Sequence, residues 1–150
     1  MTYVPYSYKH PSARRYVFIS IGKKRIEKVV DFTPLKAKNT MNLSFGDLMA
    51  DGSINYKANS NNGDILRVLA TVVDILRHFT SRYPEVVIFF TGSTTERTRL
   101  YARILKTYYA LFSKDFIVYG IMGTENDNKI IPFDPQSGME YFAFLIKRIN

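Results

Sequence analysis

The chain has 150 residues, a net charge of +8 and an apolar content of 46%. This length suffices for a sizeable hydrophobic core, and the apolar content argues against intrinsic disorder. The chain has no cysteine, which excludes disulfides, thiol catalysis and cysteine-ligated metal sites.

We expect a cytoplasmic protein without a membrane span. No apolar run is long enough to cross a bilayer, and the first residues lack the apolar core of a secretory signal. The excess of basic residues favours partners that carry phosphate, although charge alone is unspecific evidence.

The N-terminal residues are predicted to form an extended arm over 1–13, followed by a single domain over 14–150. Tyr3, Tyr6 and Tyr8 alternate with other residues. Such alternation is typical of a segment that lies along the edge of a sheet.

The first half of the domain has the pattern of an antiparallel meander. A glycine turn at Gly22 separates two alternating segments and predicts a hairpin, and Asp51-Gly52 is a second turn signal. The predicted strands cover residues 15–21, 25–32, 40–45 and 53–56, with an interruption of the third strand at Gly46-Asp47.

A first long helix is predicted from about residue 63 to residue 82. Asp64 falls in its first turn, where a negative charge suits the helix dipole. Apolar residues recur at spacings of three and four and predict one buried stripe. The stripe comprises Ile65, Leu69, Val72, Val73, Leu76 and Phe79.

The segment 85–112 combines a buried strand with a second amphipathic helix. Its apolar run at 86–90 is typical of a strand that is buried on both faces. Ser93 and Glu96 have the spacing of a capping box, which predicts that the helix begins at Ser93. Another apolar strand is predicted at 116–121, so strand, helix and strand form a βαβ unit with parallel strands and a right-handed crossover.

The C-terminal segments complete the predicted fold. A short strand is expected at 129–133, and residues 139–149 suit either a strand or a helix, with aromatic density and Gly138 favouring a strand. The predicted class is α+β, in which an N-terminal antiparallel meander and a βαβ unit place two long helices on a mixed sheet.

The start of the second long helix is the candidate anion site. Its glycine turn offers hydroxyl groups and free backbone N–H groups, and the positive end of a helix dipole attracts anions. Arg97 falls in the apolar stripe of this helix, whereas Arg99, Arg103 and Lys106 fall on its outer, solvated face. The candidate anion-binding residues are Gly92, Ser93, Thr94, Arg97 and Arg99.

Arg97 has two possible acceptors. It forms an ion pair with Asp47 or Asp64, or it binds an anion. Asp47, Asn62 and Asp64 are the candidates for a polar cluster. Such a cluster would either support a magnesium-assisted phosphate site or lock the loops together.

No established catalytic or cofactor motif accompanies these residues. His10 and His78 have no partner at metal-ligand spacing, so we expect no metal site and a structural or solvent-exposed role for both. The glycine turn at Gly92 lacks the second glycine and the lysine of a P-loop, and Ser93 lacks the context of a nucleophile elbow. We therefore expect no cofactor, and the residues favour a binding protein over an enzyme.

Four motifs give the chain a resemblance to an uncharacterised bacterial domain family. They are NLSFGD at 42–47, SNNGD at 60–64, VLATV at 68–72 and GST-x-x-RTRLY at 92–101. The resemblance implies one domain over most of the chain, and it implies no activity and no catalytic residue.

Three functions fit these features. The first is a small basic binding module for a phosphate-bearing ligand, such as nucleic acid or a nucleotide. The second is a protein-interaction component of a bacterial two-gene system of the toxin–antitoxin type, whose basic aromatic arm binds a protein partner. The third is a phosphate-handling enzyme that uses Asp47, Asp64 and Arg97.

Overall fold

A computed structural model describes residues 4–56, 62–124 and 126–149. These residues form an α+β fold with nine strands and three helices, and they group into two compact units. The first unit contains the described residues up to Pro34 and those within Asn42–Tyr83, and the second contains those within Leu35–Met41 and from Pro84 onward. No helix in the described ranges is both long and apolar enough to span a membrane.

The strands of the first unit are β1 (Tyr8–Ser12), β2 (Arg15–Ile21), β3 (Arg25–Pro34), β4 (Thr40–Leu48) and β5 (Ile54–Asn55). The first residues of β4 belong to the second unit. The remaining elements in chain order are α1 (Ile65–Arg82), β6 (Val87–Phe90), α2 (Thr95–Thr107), α3 (Tyr109–Ser113), β7 (Phe116–Gly123), β8 (Asn128–Pro132) and β9 (Ala143–Arg148).

The first unit has the predicted meander. Strands β1 to β4 are neighbours in chain order, and the β1–β2, β2–β3 and β4–β5 pairings are antiparallel. One correction concerns β4, which continues through Gly46 and Asp47 to Leu48 instead of ending at Phe45. Gly46 faces β5 so closely that a Cβ there would lie 2.8 Å from the carbonyl oxygen of Asn55.

The predicted arm is part of the first unit. Strand β1 lies along the sheet edge, and Tyr6 is buried, with its backbone N–H donating to the hydroxyl of Thr71 at 2.8 Å. The Tyr8 hydroxyl donates to Asp74 at 2.9 Å. Tyr3 lies outside the described residues.

Helix α1 packs on the meander through its aromatic and aliphatic side chains. The rings of Phe32 and Phe79 stack with centroids 3.9 Å apart. The buried face is broader than the predicted stripe because it includes Val68 and Ile75, while Ile65 is 47% exposed and Val72 is only half-buried. The helix begins after Asp64, so this residue lies at the N-cap and not in the first turn.

In the second unit, a further strand lies between the two strands of the predicted βαβ unit. Strands β6 and β7 are both antiparallel to β9, so they run in the same direction, but β9 lies between them. The β7–β8 pairing is antiparallel as well. The predicted parallel direction of β6 and β7 is therefore observed, although the sequence did not indicate that β9 would lie between them.

The C-terminal segment is a strand over Ala143–Arg148, as its aromatic density predicts. Its Phe144 and Ile146 are buried on the same face as Val118 of β7. The helical segment that precedes β7 is broken at Tyr108, whose backbone leaves the helical conformation, so α2 and α3 replace the single predicted helix.

A leucine in the core of α1 tests the packing of the first unit. Leu76 is fully buried, so Leu76→Ala should lower the free energy of unfolding by about 2–5 kcal/mol, which is typical of a buried leucine. Ile65→Ala is the control, because an exposed side chain should change it by less than about 0.5 kcal/mol. Urea denaturation measures both values, and equal losses would contradict the burial pattern of α1.

Candidate functional site

The turn before α2 is closed by hydrogen bonds within the second unit. The hydroxyl of Thr98 accepts from the backbone N–H of Gly92 at 3.1 Å and donates to the carbonyl of Thr94 at 3.2 Å. A Cβ at position 92 would lie 2.4 Å from the nitrogen of Thr98, so only glycine fits. The Gly92 N–H therefore has a protein acceptor and is not available to an anion.

The N-cap of α2 is Thr94, one residue later than predicted. Its hydroxyl accepts from the backbone N–H of Arg97 at 3.2 Å. Ser93 is exposed and does not occupy the cap position, so the predicted capping box with Glu96 does not form.

Arg97 and Arg99 occupy different environments on α2. Arg97 is half-buried while Arg99 and Arg103 are exposed, as their angular positions predict. Burial raises the pKa of Tyr101, and the positive charge of Arg97 partly opposes this shift. Within the described residues of the second unit, no carboxylate pairs with the Arg97 guanidinium.

Two of the three residues predicted to form a polar cluster, Asn62 and Asp64, meet at the Ser20 hydroxyl in the first unit. Asp64 accepts hydrogen bonds from Tyr6 and Ser20 at 2.6 Å each. Asn62 donates to Ser20 at 2.9 Å and accepts from the backbone N–H of Lys24 at 2.7 Å. These bonds attach the start of α1 to the β2–β3 hairpin. Residues 60 and 61 of the SNNGD motif lie outside the described ranges.

Asp47 has a separate structural partner. It forms a buried ion pair with Lys28 across β3 and β4, and the Lys28 ammonium lies 5.5 Å from the ring centroid of Phe45. Removal of one partner of such a buried pair strongly destabilises a protein. The pair therefore gives Asp47 a structural role between β3 and β4.

The two histidines contact aromatic residues of the first unit. The Nδ1 atom of His78 lies 2.6 Å from the hydroxyl of Tyr16, and the ring of His10 stacks on Tyr16 with centroids 4.9 Å apart. In the ranges that the structure describes, no three His, Asp or Glu side chains lie close enough together to hold a metal ion.

A groove of about 380 Å³ lies between α2 and the loop that leads into β9. We call it the α2 groove. One wall comes from α2 at spacings of three and four residues, and the other comes from residues 133–141. The lining consists of Glu96, Arg99, Ala102, Arg103 and Lys106 on the helix, and of Phe133, Ser137, Gly138, Met139, Glu140 and Tyr141 on the loop.

A bidentate ion pair connects the two walls of the α2 groove. The Arg99 Nε atom donates to Glu140 Oε1 at 2.6 Å, and its Nη2 atom donates to Oε2 at 3.2 Å. This hydrogen bonding raises the pKa of Arg99 and lowers the pKa of Glu140. The side chains are 57% and 66% exposed, so water and salt screen the pair.

The floor of the groove contains an aromatic cluster around Tyr141. Its ring packs on Phe133 and Phe144 with centroids 5.2 Å and 5.6 Å away. It also covers Gly120, where a Cβ would lie 2.2 Å from the ring, so glycine permits this close approach. The buried Tyr141 hydroxyl has no hydrogen-bond partner among the described residues.

The loop wall is held by hydrogen bonds near both of its ends. The carboxylate of Asp134 accepts from the backbone N–H of Gln136 at 2.9 Å, and the Ser137 hydroxyl accepts from Met139 at 3.0 Å. The hydroxyl of Thr91 donates to the carbonyl of Phe142 at 2.7 Å. These bonds fix the loop beside the start of α2.

Of the residues that line this groove, the sequence indicated only Arg99 as a candidate for anion binding. Arg103 and Lys106 were expected to form a solvated face, and Glu140 and Tyr141 gave no functional signal. The sequence showed that the basic residues share one face of α2. It did not show that the loop at 133–141 packs beside that face.

Residues 2–149 match the family DUF6934, which is described as a family of unknown function. The chain belongs to this family. The match to DUF6934 spans both compact units and includes the α2 groove. No curated protein and no solved structure matches the chain.

The cap assignment in this DUF6934 chain has a direct test. Thr94→Ala removes the acceptor for the Arg97 N–H and should lower the free energy of unfolding by about 0.5–2 kcal/mol. Ser93→Ala is the neighbouring control and should have almost no effect. Thermal unfolding of both variants measures the difference, and a larger loss for Ser93→Ala would restore the capping box as the correct assignment.

A set of variants at the Lys28–Asp47 ion pair tests whether Asp47 has a structural role or a ligand-binding role. Asp47→Asn removes the negative charge that faces the buried Lys28 ammonium and should cost about 3–5 kcal/mol of stability. Joint replacement by Lys28→Met and Asp47→Leu should recover much of that loss, since it leaves no buried charge unpaired. Chemical denaturation of all three proteins checks this, and a stable Asp47→Asn variant would contradict a structural role.

Proposed function

We propose that this protein is a small basic binding module for a phosphate-bearing ligand and that the ligand binds in the α2 groove. The observation that carries the proposal is the helical wall of the groove. Three basic side chains, Arg99, Arg103 and Lys106, line it together. Arg103 and Lys106 form no ion pair with any carboxylate among the described residues.

The charge and size of the groove both support a small anionic ligand. Three basic and two acidic side chains line it, so its formal charge is +1. Ligand pockets in proteins commonly measure about 300–1,000 Å³, and the volume of the groove falls in that range. Guanidinium and ammonium groups are also the side chains that bind phosphate oxygens most strongly.

The ring of Tyr141 supports a ligand with an apolar part, because it gives the groove an apolar surface beside its cations. A nucleotide or the end of a nucleic acid combines an anionic group with an apolar ring and suits both features.

Removal of one cation from the groove tests the proposal. Lys106→Ala should weaken the binding of adenosine 5′-monophosphate by roughly three- to tenfold, because it removes one charge that attracts the phosphate. Lys114→Ala is the matched control, since Lys114 is an exposed lysine of the same unit outside the groove. Isothermal titration calorimetry measures the affinity, and equal losses in the two variants would contradict binding in the groove.

The same experiment is repeated at several salt concentrations to test whether binding is electrostatic. A short single-stranded oligonucleotide should lose affinity steeply between low and moderate salt, because counterions released from the phosphates drive such binding. Undetectable binding of both the nucleotide and the oligonucleotide at low salt would overturn the proposed function. Tight binding that persists at high salt would contradict its electrostatic basis.

A further inference from the structure

The ion pair between Arg99 and Glu140 indicates more specifically which ligand the α2 groove binds. Glu140 presents two carboxylate oxygens to Nε and Nη2 of Arg99, in the arrangement that a phosphate would also adopt. A phosphate that enters the α2 groove thus meets a carboxylate already seated on one of its three cations. Ligand and Glu140 cannot use the same two N–H groups at once.

The pair is positioned so that it can open at low cost. Both side chains are more than half exposed, and exposed ion pairs are worth little because water replaces the lost contacts. Glu140 lies on the loop wall, so its side chain can turn to solvent while the loop keeps its other hydrogen bonds to Thr91 and within Asp134–Met139. Displacement of Glu140 therefore requires no unfolding.

The charge that remains in the groove selects the ligand class. When Glu140 turns away, Arg99, Arg103 and Lys106 face only the carboxylate of Glu96, and the formal charge of the groove rises from +1 to +2. A phosphate monoester carries about −1.5 to −2 charges at pH 7, whereas a diester carries a single negative charge. The monoester matches the opened groove more closely.

We propose that the α2 groove takes a phosphate monoester dianion, which displaces Glu140 from the Arg99 guanidinium. This inference rests on the proposed function, because it specifies the ligand of the same groove. Glu140 acts as an internal competitor that rejects weaker anions. A diester gains less from the groove and displaces the carboxylate less readily.

Two glutamates of the groove provide a matched pair of variants. Glu140→Gln and Glu96→Gln remove the same charge from the same groove, but only Glu140 occupies the Arg99 guanidinium. Glu140→Gln should raise the affinity for phenyl phosphate by about two- to fivefold, as expected for the loss of an exposed competing pair. Glu96→Gln should give a smaller increase. Both residues are exposed, and thermal melts verify that the variants remain folded.

A double-mutant cycle separates competition from a general charge effect. In an Arg99→Ala background, Glu140→Gln should no longer change the affinity beyond the effect of Glu96→Gln, since no guanidinium remains for which the ligand and Glu140 compete. If Glu140→Gln still raises the affinity more than Glu96→Gln does in that background, the ligand does not compete with Glu140 for Arg99.

The ligand class is tested with two probes that differ by one methyl group. Phenyl phosphate should bind several-fold more tightly than its monomethyl ester, which has one ionisable oxygen fewer. If phenyl phosphate binds but the ester binds equally well, or if the two glutamate variants behave alike, this inference is overturned and the proposed function stands. If the two probes, the nucleotide and the oligonucleotide all fail to bind any variant at low salt, both the inference and the proposed function are overturned.

Discussion

The position of β9 between β6 and β7 is the constraint that shapes the second unit. Strand β8 lies on the outer side of β7, so the chain must cross β7 after Pro132 before it can enter the sheet at Ala143. The crossing segment passes over Gly120, where the absence of a side chain lets the ring of Tyr141 lie directly on the strand. The same crossing brings Glu140 to Arg99, and the α2 groove is therefore a product of strand order.

The two units use their charged residues for different purposes. In the first unit, Asp47 is buried against Lys28, and Asp64 accepts hydrogen bonds from Tyr6 and Ser20. Each of these carboxylates already has the partners that its burial requires. In the second unit, Arg99, Arg103 and Lys106 of α2 are exposed, and Glu140 forms an ion pair with Arg99 alone, so the three cations retain capacity for a ligand.

Local patterns of the sequence predicted the fold well wherever neighbouring residues decide the structure. Alternation around Gly22 predicted the β2–β3 hairpin, and the aromatic run before Arg148 predicted a strand. Two wrong predictions also concerned local structure. The N-cap of α2 was placed at Ser93 instead of Thr94, because both residues are good caps. The break between α2 and α3 was missed, because Tyr108 is not an evident helix breaker. Pairing between distant strands was not predictable, since the order β6, β9, β7 leaves no mark on hydrophobic periodicity.

The candidate site was less predictable for the same reason. Arg99 was identified from its place at a helix start, but its partner Glu140 is distant in sequence and lies in a loop without a motif. Arg97 drew attention through its angular position, and its partial burial agrees with that reasoning. The predicted burial of Arg97 did not indicate that the loop at 133–141 would form a groove with the other, exposed face of α2.

The inserted strand also has a consequence for how the chain folds during synthesis. Strands β6 and β7 leave the ribosome before β9, and each is bonded to β9 and not to the other. The sheet of the second unit must therefore remain open at its centre until Ala143–Arg148 has been made. The hairpin of β2 and β3 needs no such delay, because its two strands follow each other directly and pair locally. The first unit can thus acquire its meander while the second still lacks its central strand.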